Sequence, residues 1–553
     1  MSTRAASTAY LPAQGSWSRM VGGATVAALL VGCLVAGPAL AQTQKEITPT
    51  GKISETEQAV ADGKVIYEER CSFCHGLEGK GDGPVADYLF PRPRDFTQGA
   101  FKLRSTASGE PPTDEDLYRT ISRGIPGTSM PSWSTLSPQE RWKVLYYVKT
   151  FSDEFDPEEK PEMPPVGPNV GSGPETIAKG REVYEKAKCW ECHGQEGRAD
   201  GSKATDLEND WGFNILPANL TKGWRYKGGT SVGDIYQRFT TGLDGTPMPS
   251  YADTFSNEER WQLAHYVRSL IKDERGRGTV VIKAAPVTGD LPTDPGDTLW
   301  SKAAPVDVPL SGQVITRPRL QNPSVDLLTV RALFNEKAVA FLLEWDDPVR
   351  DVAQGKAGEY IEEARKDTYA LVRPYVDTEI ARPLPPLRDA VEIQFPLKPP
   401  QGPQKPHFLL GDRARPVMLW QWQADAQQEG RTPSPVTVMQ ASGHLKPPGV
   451  KPEAQQTVTG RGVWKNGRWR VVVRRSLKPP EGASDVTFQP GVFTPIAFHV
   501  WDGSNGETGL MMSISSWYNL VLPSKTPIAV YVYTFLAVVL SGLFELYLVR
   551  KVK

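Results

Sequence analysis

The sequence predicts a multidomain chain of four parts: two small all-α modules, an all-β sandwich-like domain and one C-terminal transmembrane helix. Three observations predict it. Cys71-Ser72-Phe73-Cys74-His75-Gly76 recurs 118 residues later as Cys189-Trp190-Glu191-Cys192-His193-Gly194. From about Leu291 the helical period gives way to strand-like alternation rich in aromatic residues, and Pro527 to Val549 is apolar but for Glu545. The 553 residues allow about three domains at roughly 100–200 residues each. A net charge of −1 excludes a nucleic-acid binder that works by bulk positive charge. Five cysteines exclude a disulfide-stapled scaffold.

At the N-terminus, Arg4 and Arg19 precede an apolar stretch from Met20 to Val35, and Ala39-Leu40-Ala41 stands before Gln42. A basic region, a short apolar core and a small-x-small site predict a signal peptide over 1–41. Leu30-Val31-Gly32-Cys33 offers a competing lipoprotein-type site, which would leave Cys33 lipidated. At the other end, 527–549 is long enough to cross about 30 Å of hydrocarbon. Arg550, Lys551 and Lys553 follow it and predict a cytoplasmic C-terminus. The expected protein is exported, with its bulk on the periplasmic side of the cytoplasmic membrane.

The repeat extends beyond the cysteines. Gly127-Thr128-Ser129-Met130-Pro131-Ser132-Trp133 recurs as Gly245-Thr246-Pro247-Met248-Pro249-Ser250-Tyr251, so cysteine and methionine are 59 apart in both copies. Glu140-Arg141-Trp142 recurs as Glu259-Arg260-Trp261, one insertion further on. Two thiols two residues apart can each add to a vinyl group of one haem, and the adjacent histidine then meets the iron. The candidate attachments are Cys71 and Cys74, and Cys189 and Cys192. His75 with Met130 and His193 with Met248 are the candidate axial pairs, a combination that raises reduction potential. A Cys-x-x-Cys can instead be redox-active or bind zinc, but no further cysteine pair lies nearby. His265 aligns with Tyr146 and reads as a packing or surface residue rather than as a ligand.

Both blocks resemble class I cytochrome c domains, over 57–155 and 175–275. The resemblance implies an N-terminal helix leading into the haem motif and a C-terminal helix packed on it. Val60 to Glu69 and Ile177 to Ala187 match the first helices. Ser137 with Glu140 and Ser256 with Glu259 predict capped starts for the last ones. The Pro-rich stretch 156–174 reads as a semi-rigid spacer, and 276–296 as a second linker.

The third domain spans 297–522. Leu328 to Ala332 and Ala338 to Trp345 flank Asn335-Glu336-Lys337 and predict a hairpin. Trp464 to Trp469 predicts another, with Asn466-Gly467 suited to a type I′ turn. Val330 to Trp345, Asp389 to Pro396, Gly411-Asp412 with Pro416 to Trp422, and Ile496 to Gly503 resemble the haem-binding γ subunit of ethylbenzene dehydrogenase. Its relatives include the cytochrome subunits of dimethyl sulfide dehydrogenase, selenate and chlorate reductases and nitrite oxidoreductase. The resemblance implies a b-type haem held by a methionine and a lysine. Here Leu410 and Met512 stand in those places, so either the third haem is absent or another pair, such as His407 with Met512, serves.

The expected function is that of an electron-transfer subunit, not itself catalytic. The resemblance implies partners that are Fe–S and molybdopterin subunits of an oxidoreductase, nitrite oxidoreductase-like in its fusion pattern. A soluble cytochrome or a membrane oxidase would be the respiratory donor or acceptor. The alternative is a haem-bearing ligand-binding or docking module whose sandwich carries no haem. A haem peroxidase is disfavoured, because Met130 and Met248 would fill the open iron positions.

Overall fold

The computed structural model describes residues 47–552, apart from 87–88, 90, 157, 213–214, 273–278, 317–318, 321–322, 353–386, 401–403, 429, 431–433 and 525–527. The expected signal peptide over 1–41, with Cys33, lies outside the described residues, as does Pro527. The first helical module contains α1 (Glu57–Arg70), the one-turn α2 (Ser72–His75), α3 (Asp114–Arg123) and α4 (Pro138–Lys149). The second repeats it as α5 (Pro174–Lys186), α6 (Trp190–His193), α7 (Val232–Thr241) and α8 (Asn257–Leu270).

Local chemistry sets the helix starts. Ser137 and Glu140 form a reciprocal capping box on α4, and Ser256 and Glu259 form one on α8. In each module the first helix packs on the last. Gly63 and Gly180 permit that approach, since a Cβ there would stand 2.0 Å from the carbonyl oxygens of Lys143 and Gln262. Trp142 Nε1 donates to the Thr50 carbonyl at 2.8 Å, and Trp261 Nε1 to that of Gly167 at 2.9 Å. The segment read as a spacer therefore ends as a strap across α8. His265 is buried there and bonds the Asn169 side chain at 2.8 Å, a packing role.

Among the described residues fifteen strands follow. They are β1 (Val281–Lys283), β2 (Ala285–Pro286), β3 (Val306–Pro309), β4 (Ser311–Gly312), β5 (Leu327–Phe334), β6 (Ala338–Asp346), β7 (Ala390–Pro396) and β8 (Val417–Gln423). β9 (Val436–Ala441), β10 (Gly449–Val450), β11 (Thr459–Trp464), β12 (Arg468–Ser476), β13 (Phe493–Trp501), β14 (Ser513–Ile514) and β15 (Tyr518–Val521) complete them. One sheet runs β1-β15-β13-β7-β8-β9-β10, with β14 and β4 beside β13; the other runs β11-β12-β6-β5-β2, with β3 on β5.

Inward residues of both sheets share one core, including Phe341, Leu343 and Trp345 from one sheet and Ile393, Phe395 and Trp420 from the other. Both expected hairpins form, and Asn466 and Gly467 have φ +51° and +65°, as a type I′ turn requires. The described part of the stretch read as a linker over 276–296, from 279 on, also forms strands. β1 pairs parallel with β15 and β2 with β5, which gives each sheet an extra strand. At three and two residues they are too short to show an alternation in sequence.

A short α9 (Ala424–Gln428) follows β8. The chain closes on α10 (Ile528–Val552), in which Val532–Lys551 is long and apolar enough to cross a membrane. None of that span is buried against the rest of the protein.

Candidate haem sites

In both copies the motif folds into a single helical turn. The Cys71 backbone N–H closes α1 on the Tyr67 carbonyl at 2.8 Å, and Cys71 then caps α2. The His75 N–H donates to the Cys71 carbonyl at 2.9 Å, and His193 repeats this on Cys189 at 2.8 Å. Residues three apart on one turn share a face, so each pair of thiols points the same way. None of the four forms a disulfide. Burial pushes the Cys71 and Cys189 thiols up to about 12, the reverse of the lowered value that marks a redox-active pair.

Each histidine is oriented through its inner nitrogen. His75 Nδ1 bonds the Arg94 carbonyl at 3.1 Å, and His193 Nδ1 that of Ala218 at 2.9 Å. A carbonyl only accepts, so Nδ1 carries the proton and a neutral ring presents its lone pair at Nε2. Burial keeps both imidazoles below their ordinary pKa and so favours the neutral ring. Phe96 stacks on His75 at 4.4 Å between ring centroids. Tyr67 and Tyr184 donate to the carbonyls of Gly76 and Gly194, both at 2.7 Å, and pin the end of each turn.

The methionine loops match bond for bond. Ile125 N–H donates to the Met130 carbonyl at 3.0 Å, and Leu243 to that of Met248 at 3.1 Å. Thr128 and Thr246 hydroxyls each donate to the residue three before, at 2.7 Å, and accept from the methionine N–H. Met130 and Met248 are both half-buried.

Buried Arg104 joins the modules through Nη2, which donates to the Thr241 carbonyl and to Asp244, both at 2.7 Å. Arg94 lies over the Trp211 ring at 4.2 Å. Burial, then Arg94 and Lys227, lower Lys102 to about 7. Such crowded positive charge suits the propionate groups of a haem. The donor sets, the free Nε2 atoms and this charge together fit covalent haem in both modules. The second module grips the sandwich through Asp326, which accepts from Lys222 at 2.9 Å, Trp224 at 2.5 Å and Arg225 at 2.8 Å.

The residues offered for a third haem do not fit one. His407 is exposed, its ring lies on Phe408, and its Nδ1 accepts from the Leu409 N–H at 3.1 Å. Met512 is instead buried among Leu409, Leu410, Leu419 and Trp501. His499 has neither nitrogen free: Nδ1 bonds Glu392 at 2.7 Å and Nε2 the Phe408 carbonyl at 3.0 Å.

The sequence offered the candidate ligands but not the groups that orient them. The Arg94 and Ala218 carbonyls leave no side-chain signature. Tyr67 and Tyr184, by contrast, could have been found by extending the repeat upstream of the cysteines with a one-residue slip in register.

A Cys-x-x-Cys-His turn with an anchored imidazole, built twice in all-α modules, defines a c-type cytochrome. The cytochrome c family model matches residues 60–152 and 177–270, and the ethylbenzene dehydrogenase model matches 297–444 and 443–513. The chain is 30% identical over 124 residues to cytochrome c55X of Paracoccus denitrificans, covering 22% of this chain and 88% of that protein. It therefore belongs to the cytochrome c family, its cytochrome c domains imply covalent haem c, and its sandwich is a domain of the ethylbenzene dehydrogenase γ-like type.

A Haloferax mediterranei protein described as a respiratory nitrate reductase haem subunit is 23% identical over 231 residues, 42% of this chain and 68% of its own. The cbb3-type cytochrome c oxidase subunit CcoP of an Azospirillum species is 25% identical over 225 residues, 38% of this chain. The chain spans only 62% of that oxidase subunit. A solved chain of the Kuenenia stuttgartiensis reducing HAO-like protein complex is 47% identical, wholly covered and matched by 40% of this chain, with a TM-score of 0.38.

Proposed function

We propose that this chain is a membrane-anchored dihaem cytochrome c, the electron-transfer subunit of an exported molybdopterin oxidoreductase complex of the nitrite oxidoreductase-like kind. The observation that carries the reading is the same site built twice, bond for bond, in modules that contact each other through Arg104 and Asp244. Cys71 and Cys74 would hold one haem by thioethers, with His75 Nε2 and Met130 as axial donors. Cys189, Cys192, His193 and Met248 would do the same for the second. Bound in this way, the group supplies one-electron transfer at a raised potential.

The protein's part is orientation and electrostatics. The Arg94 and Ala218 carbonyls fix the imidazoles, the threonine-braced loops present the methionines, and burial excludes water. The sandwich, with its filled core, serves as the docking domain toward the Fe–S and molybdopterin subunits. α10 anchors the assembly, with the C-terminus cytoplasmic and the haem modules on the periplasmic side. A soluble cytochrome or a membrane oxidase would be the respiratory partner. The nitrate reductase haem subunit among the relatives favours a respiratory role of this kind.

The test is affinity purification of the full chain from native membranes, with molybdenum, non-haem iron and haem measured in the eluate. The proposal expects molybdenum to co-elute stoichiometrically and substrate to reduce the haems. Haem-containing chain free of molybdenum, with no reduction by candidate substrates, would refute the partner assignment.

A further inference from the structure

At one end of the sandwich, carboxylates from both sheets converge. Asp347 follows β6, Asp389 precedes β7 and Asp502 follows β13, so the first lies on one sheet and the other two on its partner. One carboxylate oxygen from each of the three lies within 4.8 Å of the others. Two oxygens on a calcium ion at about 2.3–2.6 Å can stand no more than about 5 Å apart, so this spacing closes a single coordination sphere. A fourth carboxylate is locked to them. The Asp351 N–H donates to Asp389 at 2.7 Å, and the Ser504 hydroxyl bridges Asp351 and Asp502 at 2.6 and 3.0 Å.

The four side chains are 0–3% exposed. Among the described residues none of them makes an ion pair with a lysine, arginine or histidine, although buried carboxylates are normally paired or bound to metal. Asp351 Oδ1 is buried and has no hydrogen-bond partner at all. It is an acceptor without a donor, beside three others that repel it. The donor set is all oxygen, with no cysteine or imidazole, which disfavours zinc and copper and selects a hard divalent cation.

We propose that Asp347, Asp389 and Asp502 bind one calcium ion that staples the two sheets together, with Asp351 beside them. The staple also braces the docking of the second haem module. The Asp347 N–H donates to the Gly467 carbonyl at 2.8 Å, and the neighbouring Asn466 carbonyl accepts from Arg198 at 3.1 Å.

The experiment uses the purified full chain with its haems in place. Radioactive calcium in equilibrium dialysis should give one site per chain. Chelation should lower the unfolding midpoint of the β-rich transition by about 5–10 °C, the shift expected when a cation at ~100 times its Kd is removed from a domain of this size. Calcium should restore it, and magnesium at equal concentration should not. Asp502→Asn and Asp389→Asn should lose calcium binding while the Soret spectrum stays unchanged. Absence of bound calcium with no chelator effect would overturn the proposal. So would equal protection by magnesium, or unaltered binding in both variants. The dialysis on the unsubstituted chain decides the matter even if a variant fails to fold.

Discussion

Asp326 is the sharpest test of how the second haem module is held. The carboxylate is 2% exposed, and the Lys222 it pairs with is 5% exposed. Burial alone would raise the Asp326 carboxyl, but Lys222 and Arg225, with the Trp224 bond, outweigh it and hold it well below the usual carboxylate range. Asp326→Asn keeps the shape and removes the charge, leaving Lys222 buried without its partner. Breaking such a pair from one side costs about 3–5 kcal/mol. Replacing both partners, as Asp326→Leu with Lys222→Met, should recover ~2 kcal/mol or more of the summed single losses, because the buried ammonium is gone while the part-exposed Arg225 keeps its bond to the Pro323 carbonyl.

The assay is urea unfolding of the haem-loaded chain, followed by Soret circular dichroism for the helical modules and by tryptophan fluorescence for the sandwich. The depressed pKa also sets a sign. The stabilisation is fully present above the unfolded value near ~3.9 and is lost as pH falls through the lower folded value. Asp326→Asn should therefore flatten the acid decline below about pH 4. A single loss under about 1 kcal/mol, or strictly additive doubles, would refute the view that this buried pair anchors the module.

Other expectations follow from the same geometry. Met248→His should lower the potential of one haem of two by more than about 100 mV, a modest part of the ~0.8 V that axial ligands span, read by spectropotentiometry. Gly180→Ala must separate α5 from α8 and should cost about 1–3 kcal/mol in the thermal stability of the second module, measured by Soret-detected melting. Arg104→Ala should remove about 2 kcal/mol from the contact between the modules by denaturant titration. Arg104→Lys should restore less than half of that, since an ammonium that takes over the bonds to Thr241 and Asp244 cannot also make the Nε and Nη1 bonds to the Ala107 and Phe101 carbonyls.

What could be read in advance follows the range of each interaction. The haem motifs, the methionine loops and the capping boxes are local patterns, and duplication made each legible twice. The Asn466-Gly467 hairpin was legible because only a few residues tolerate positive φ. β1 and β2 were not, because their pairing with β15 and β5 depends on partners 230 and 40 or more residues away and not on their own pattern. The grip of Asp326 on Lys222 spans 104 residues and leaves no periodic signal. The aspartate cluster is scattered from 347 to 502 and is assembled only by the register of two sheets. The third-haem candidates were hard to judge for a different reason. Resemblance can say which residues should ligate, but only packing reveals that His407 faces solvent while Met512 is sealed inside an apolar cluster.

The most direct test of the account is a haem and iron count on the full chain purified from native membranes, with pyridine haemochrome spectra separating c-type from b-type. The account predicts two haem c and no haem b per chain, falling to one haem c in Cys74→Ala or Cys192→Ala. A b-type haem in the count, or two haems surviving either substitution, would contradict it.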